Sequence, residues 1–335
     1  MNDELGRWDA VETRERIQRG DVTAAEVVEA AIARAEAAAE LNAIVTPSFD
    51  QARARAEQAT GGLLAGVPTF IKDLARTEGV RTRWGTVASG HYVPTKSDPI
   101  VRTIEATGLV SLGKSATPEL GLTGTTEPLA MAPCRNPHDP ERSAGGSSGG
   151  AGALVASGVV PIAHGSDGGG SIRIPASCNG VVGLKVSRGR LDMEGSNLLP
   201  VNVAIHGCLT RTVRDTVRFW EAVAPAGPAM TPLDEAPRLR IGAYTDAPTG
   251  TPVHDDHRQA VLKAAEACRA IGHEVEAIAP PFEGQVIDDF LRYWRLIAWV
   301  QKVGGRLLMH PRFDGSKLDG WTKGLAASGR ADPLK

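Results

Sequence analysis

Apolar residues recur along this chain with two different periods, and the two rhythms divide it into helices and short strands. Thr23-Ala-Ala-Glu26 has the spacing of a capping box, and Val27, Val28, Ala31, Ile32 and Ala35 follow at helical intervals. An amphipathic helix over Thr23 to Glu40 is the consequence, with a second expected over Phe49 to Ala59. Val67, Phe70 and Ile71 form a β-type run closed by Lys72, and Leu109 to Leu112 reads as another strand. Gly149 to Val159 carries only small or apolar side chains, which suits a short buried helix, and Pro161 to Ala163 reads as a buried strand. A loop and strand follow between Gly189 and Thr210, then a helix over Thr212 to Val223 with Val213, Val217 and Trp220 on one face. Pro225 to Pro237 reads as a linker or surface loop. Beyond it, Arg240 to Tyr244, Asp256 to Ile271 and Glu274 to Ile278 have the order strand, helix, strand, so a parallel α/β arrangement is expected. Asp289 to Val300 gathers Phe290, Tyr293, Trp294 and Trp299 in a segment expected to be a core helix.

Composition narrows the function classes. The 335 residues are 42% hydrophobic and 23% charged, enough for a sizeable core, and the net charge of −2 comes from interleaved acids and bases. There is no basic patch to hold nucleic acid and no polybasic signal for a membrane surface. The N-terminus lacks a basic stretch followed by an apolar core, and no apolar run approaches the ~20 residues of a membrane span, so a cytoplasmic protein is expected. Cys134, Cys178, Cys208 and Cys268 have neither disulfide-framework nor zinc spacing and read as reduced structural thiols.

The chemistry concentrates between Arg142 and Gly183. Ser147-Ser148 and Ser171 sit in two separate glycine-rich turns, Gly145-Gly-Ser-Ser-Gly-Gly150 and Asp167-Gly-Gly-Gly-Ser171. Glycine is what a backbone needs to turn sharply or to let a substrate approach its amides. In the second turn, consecutive N–H groups of Gly168, Gly169, Gly170 and Ser171 are placed to form an oxyanion-binding concavity beside the Ser171 hydroxyl. A nucleophile beside an oxyanion hole is the natural reading.

This segment resembles the signature of the amidase signature family. It has the Gly-Gly-Ser-Ser-Gly-Gly turn, the small-residue helix, the Gly-x-Asp-x-Gly-Gly-Ser turn, Ile-Arg-Ile-Pro-Ala and Gly180-Val-Val-Gly-Leu-Lys185, while Gly66-Val-Pro68 to Lys72-Asp73 resembles the family's first signature. The resemblance implies an α/β fold with a central mixed sheet flanked by helices, an N-terminal helical arm over residues 1–60 and a catalytic core from residue 61 to 335. It also implies a Ser-cisSer-Lys triad: Ser171 as nucleophile, Ser147 as bridge after a cis peptide from Gly146, and Lys72 as base. Thr125, Thr126 and Gly146 are then expected at the substrate, and Asp167 and Arg173 as braces of the second turn. The expected reaction is hydrolysis of a carboxylic amide through an acyl-enzyme, with a small-molecule amide as partner, no metal or organic cofactor, and a homodimer left open. Thr125 to Pro128, Arg142 to Gly146 and Ala163-His164-Gly165 look most similar to enzymes of the 6-aminohexanoate cyclic dimer hydrolase type. Three positions depart from the family pattern: Ala144 for Pro, Asn179 for Cys and Val186 for Pro. Family members generally continue past Lys335, so a chain lacking its C-terminal part is expected.

Rival readings are weaker on their own residues. Gly108 to Ser115 matches the phosphate-binding G-x-x-x-x-G-K-[ST] pattern, but the stretch between its glycines reads as the strand itself and Pro118 follows too soon for a long helix. Ser111-x-x-Lys114 matches a penicillin-binding-protein motif without its partner motifs. His254-Asp-Asp-His257 has metal-compatible residues but precedes a helix whose N-terminus favours acids. Gly145-Gly-Ser147-Ser-Gly149 also fits the elbow of a Ser-His-Asp esterase, which leaves Lys72 without a role, and His164 reads as a packing residue. An inactive truncated homologue or an amidotransferase-type subunit is the non-catalytic alternative.

Overall fold

The computed structural model describes residues 3–58, 61–191, 203–224, 237–282 and 284–331. They fall into two compact units, Met1–Pro228 with Gln301–Lys323, and Ala229–Val300 with Gly324–Lys335.

The first unit opens with α1 (Ala10–Arg19) and α2 (Ala24–Ala37), the second capped as its sequence predicts. Thr23 Oγ1 accepts the Glu26 N–H at 3.1 Å, and the Glu26 carboxylate accepts the Thr23 N–H at 2.8 Å. Its apolar stripe is buried at all five expected positions and joins one core cluster with Phe70, Leu112, Leu154 and Ala163. The N-terminal helices are thus built into the unit that carries the glycine-rich turns. β1 (Ile44–Pro47) and α3 (Phe49–Ala56) follow, then β2 (Pro68–Lys72), α4 (Pro99–Ala106) and β3 (Val110–Ser115). β3 lies at the centre of a mixed sheet, antiparallel to β1 and parallel to β2.

After α5 (Gly149–Ala156) come β4 (Ile162–Asp167), α6 (Arg173–Asn179), β5 (Val182–Gly183), β6 (Ile205–Thr210) and α7 (Val213–Val223). β6 lies between β4 and β5, antiparallel to both. The strand expected over Pro161 to Ala163 therefore continues to Asp167, which leaves Gly168, Gly169 and Gly170 alone as the turn. The apolar face of α7 is made by Thr216, Phe219, Trp220 and Val223, while Val213 is 66% exposed. Its first turn docks instead through buried Asp215, whose carboxylate accepts the Val11 N–H at 2.9 Å.

β7 (Arg240–Ala243), α8 (Asp255–Ala270) and β8 (Glu274–Ala277) form the expected parallel strand, helix, strand unit. His254 caps α8 by accepting the Asp256 N–H, an ordinary structural use of that residue. α9 (Gly284–Leu308) and α10 (Gly320–Ala331) complete the described chain. The aromatic stretch of α9 is not core: Tyr293, Trp294 and Trp299 are half-buried, and only Ala298 between Asp289 and Val300 is buried. The second unit is small, and a small unit has too little interior to enclose the aromatic segment. The expected linker over Pro225 to Pro237 lies almost wholly outside the described residues.

Gly113, Lys114 and Ser115 lie inside β3, so the stretch that matched a phosphate-binding loop is a buried strand end. Lys114 Nζ stands 3.7 Å from the Asp73 carboxylate and donates to the Ala75 carbonyl, with both charged side chains fully buried. Burial drives Asp73 up to about 6, against the pull of Lys114 and the Arg83 N–H. Removing one member strands the other charge in the interior, which costs roughly 3–5 kcal/mol, whereas replacing both with apolar side chains is nearly neutral. Urea unfolding is therefore expected to find Lys114→Ala destabilised by about that amount and the Asp73→Leu/Lys114→Met double variant much less so.

Candidate active site

Lys72 is the last residue of β2, and every side chain of that strand is buried. Its ammonium end has three neighbours: Ser147 Oγ at 2.7 Å, Ser166 Oγ at 3.1 Å and the Ser166 carbonyl at 3.3 Å. No carboxylate lies within ion-pair distance of Lys72 among the described residues. Burial pushes its pKa down to about 7, partly offset by the field of Asp167. A lysine in this state loses its proton near neutral pH and then presents a lone pair to the Ser147 hydroxyl.

Ser147 follows a cis peptide bond from Gly146. The turn before it is held by its neighbours: Thr126 Oγ1 donates to the Gly145 carbonyl at 2.8 Å and accepts the Gly149 N–H at 3.2 Å. A Cβ on Gly146 would lie 2.4 Å from the Thr125 carbonyl oxygen, and one on Gly150 would lie 2.3 Å from the Ala116 nitrogen. Both positions therefore require glycine for close backbone approach. Thr126 is fully buried with its hydroxyl committed to this turn; of the three residues expected at the substrate, Thr125 alone is exposed.

The second turn is organised by Asp167. Its carboxylate accepts the N–H groups of Gly170 at 2.8 Å and Ile172 at 3.1 Å and is clamped by Arg173 Nε and Nη2 at 3.0 and 2.9 Å. Burial alone would raise the Asp167 pKa; the guanidinium and the backbone donors hold it below the usual carboxylate range. The Gly170 N–H is thereby committed to Asp167. Ser148 ties the two turns together: its N–H donates to the Ser171 carbonyl at 3.2 Å, and its hydroxyl exchanges hydrogen bonds with the main chain of Ser166 at 3.3 Å. Ser171 is 8% exposed. No hydrogen bond joins the Ser147 and Ser171 hydroxyls among the described residues.

Sequence reading gave no role to Ser166, Ser148 or His206. Ser166 stands just before Asp167 in the turn motif, where strand alternation through β4 was the available signal; His206 had no local signal. Two departures from the family pattern meet in space: buried Asn179 donates from Nδ2 to the Ala144 carbonyl at 2.8 Å and to the Pro175 carbonyl at 2.8 Å. The third, Val186, packs partly buried against the second core cluster.

A buried lysine thus meets one serine hydroxyl, and a second serine stands in an Asp-organised glycine turn tied to the first turn through Ser148. The sequence profile of the Amidase family matches residues 26–304. The chain is 44% identical over 340 residues to a Mycobacterium tuberculosis protein described as an amidase, AmiC, an alignment covering 97% of this chain and 71% of that one. It is 38% identical over 299 residues to the 6-aminohexanoate-cyclic-dimer hydrolase of Paenarthrobacter ureafaciens, covering 81% of this chain and 59% of that enzyme. A solved structure of a 6-aminohexanoate cyclic dimer hydrolase with substrate superposes with a TM-score of 0.88 at 32% identity, over 99% of this chain and 73% of that one. The chain belongs to the amidase signature family, whose members hydrolyse amides. No helix among the described residues is long and apolar enough to cross a membrane.

The Asp167 carboxylate carries a testable load. In Asp167→Ala the N–H groups of Gly170 and Ile172 lose a charged acceptor inside the protein, each at a cost of about 1–3 kcal/mol. A drop of that order in unfolding free energy, measured by chemical denaturation, is expected, whereas Arg173→Gln is expected to lose less because the Arg173 side chain is 54% exposed.

Proposed function

We propose that this protein hydrolyses carboxylic amides through an acyl-enzyme, with Ser171 as nucleophile, Ser147 as bridge and Lys72 as base. The observation that carries this reading is the 2.7 Å contact between fully buried Lys72 and Ser147, which follows a cis peptide. Neutral Lys72 accepts the Ser147 proton as Ser147 accepts that of Ser171, and Ser171 Oγ bonds to the carbonyl carbon. The carbonyl π-electrons move onto oxygen, where the N–H groups of Gly168, Gly169 and Ser171 receive the charge. Collapse breaks the C–N bond, the proton returns through Ser147 to the leaving nitrogen, and water then attacks the acyl-serine by the same proton path. The likeness to 6-aminohexanoate-cyclic-dimer hydrolases supports linear or cyclic 6-aminohexanoate-type amides as the substrate class. The unpaired cysteines support a reducing, cytoplasmic setting. The esterase alternative lacks its base, since no histidine hydrogen-bonds to Ser147 or Ser148 among the described residues, and Lys72 holds the position that histidine would need.

Intact-mass analysis after fluorophosphonate treatment is expected to find one adduct, mapped to Ser171 and absent from Ser171→Ala. In Lys72→Ala the labelling rate is expected to fall by about 10²–10⁴-fold, the usual worth of a positioned general base. A well-folded protein that stays unlabelled, or a Lys72→Ala variant labelled at the wild-type rate, sinks the triad.

The pH dependence has a definite sign. Lys72 must be neutral to act, so protonation below its folded pKa removes the base. The labelling rate is therefore expected to rise with pH through a midpoint of about 7 and then level off. A midpoint near the ordinary lysine value, ~10.4, overturns the assignment of the base.

A further inference from the structure

Two histidines packed against Lys72 have no part in the mechanism above. His164, on β4, is 2% exposed, and its Nδ1 lies 3.2 Å from the main-chain nitrogen of Lys72. Its Nε2 lies 3.0 Å from Nδ1 of His206 on β6. The ring planes are within 18° of each other with centroids 5.3 Å apart, as edge-to-edge contact through one N–H···N bond requires. The sheet register explains the meeting. β4 pairs His164 with Cys208 and Ser166 with His206, so the side-chain period of two puts both rings and Ser166 on one face as diagonal neighbours.

This geometry fixes both tautomers. A backbone N–H can only donate, so His164 Nδ1 accepts and the ring's single proton sits on Nε2. That N–H donates to His206 Nδ1, which leaves the His206 proton on its own Nε2. Adding a proton to either Nδ1 would set one N–H against another. We propose that His164 and His206 are positioning residues for the Lys72 base: an uncharged hydrogen-bond chain that fixes the main chain at the end of β2 and keeps further cations away from the lysine. The inference rests on the amidase reading of Lys72 given above.

The surrounding charges agree. The charges that act on the two rings are Lys72 at the end of β2, Lys114 on β3 and Asp98 at the start of α4, and the carboxylates of Asp73 and Asp167 belong to the elements that carry Lys72 and His164. Asp73 is engaged by Lys114 and the Arg83 N–H, Asp167 by Arg173 and the second turn, and Asp98 by Arg76 at 2.8 Å. None of the three carboxylates hydrogen-bonds either ring among the described residues, and the field of Asp98, which favours a charged His206, is outweighed by burial and by the charge of Lys72. Burial first, then the charge of Lys72, pushes His206 down to about 4, and His164 is lowered well below its ordinary value.

Fluorophosphonate labelling of Ser171 separates the roles. His164→Leu removes the acceptor for the Lys72 N–H, and its labelling rate at alkaline pH is expected to fall by at least about tenfold, on the scale of a misplaced catalytic group. His164→Asn keeps an oxygen where Nδ1 stood and is expected to recover to within about threefold of wild type. A His164→Leu rate equal to wild type, or equal losses in the Leu and Asn variants, overturns the proposal. Because His164→Leu also disturbs a buried site, ¹⁵N-histidine NMR of the wild-type chain, assigned with His206→Asn, supplies the second test. Both rings are expected as neutral Nε2–H tautomers from about pH 5 to 9; a His164 Nδ1–H, or titration of either ring in that range, overturns it. Unlabelled wild-type protein counts against the triad itself, whereas labelled wild type with indifferent histidine variants counts against this inference alone.

Discussion

The contact on which the site depends is a lysine amine held out of water against a serine hydroxyl. A charged ammonium is costly in such a place, and Lys72 has no carboxylate within ion-pair reach among the described residues to offset that cost. Its neighbours are two hydroxyls and a carbonyl, which hydrogen-bond the amine without anchoring its charge. The proton is therefore weakly held, and a group that is an acid in water becomes a base near neutral pH.

Lys114 makes the contrast. It is as deeply buried as Lys72 and lies on the neighbouring strand, yet it faces Asp73 at 3.7 Å and the Ala75 carbonyl. One lysine braces the end of β2 through charge, and the other stands without a counter-ion against a serine hydroxyl among the described residues. The identity of the nearest acceptor separates the two roles, since burial is common to both.

Close backbone approach delivers the serines to that amine. Gly146 lies against the main chain of Thr125 and Gly150 against that of Ala116, so the turn carrying Ser147 is set by contacts too short for any side chain. The turn carrying Ser171 is set differently, by the Asp167 carboxylate gathering N–H groups from residues ahead of it and the guanidinium of Arg173. Ser148 links the two turns through the Ser171 carbonyl and the Ser166 main chain, so one set of hydrogen bonds joins them.

Much of this was legible in the sequence, because local rules wrote it. The capping box at Thr23, the small-residue helix after Ser148, the β7–α8–β8 unit and the two glycine turns all depend on residues close to one another in the chain. The motif spacing marked Lys72, Ser147, Ser171, Asp167 and Arg173. Partners arriving from elsewhere were not legible: that the Thr126 hydroxyl is bound to Gly145 and Gly149, and that the Gly170 N–H is committed to Asp167, appears only in the folded chain. The aromatic stretch of α9 reads as core because periodicity reports a face without reporting what covers it. The sequence by itself determined the family, the motif positions and the order of the elements that hold them. The tertiary structure alone decided that Lys72 is buried without a counter-ion and that His206 reaches His164, because desolvation and strand register arise only when distant segments pack.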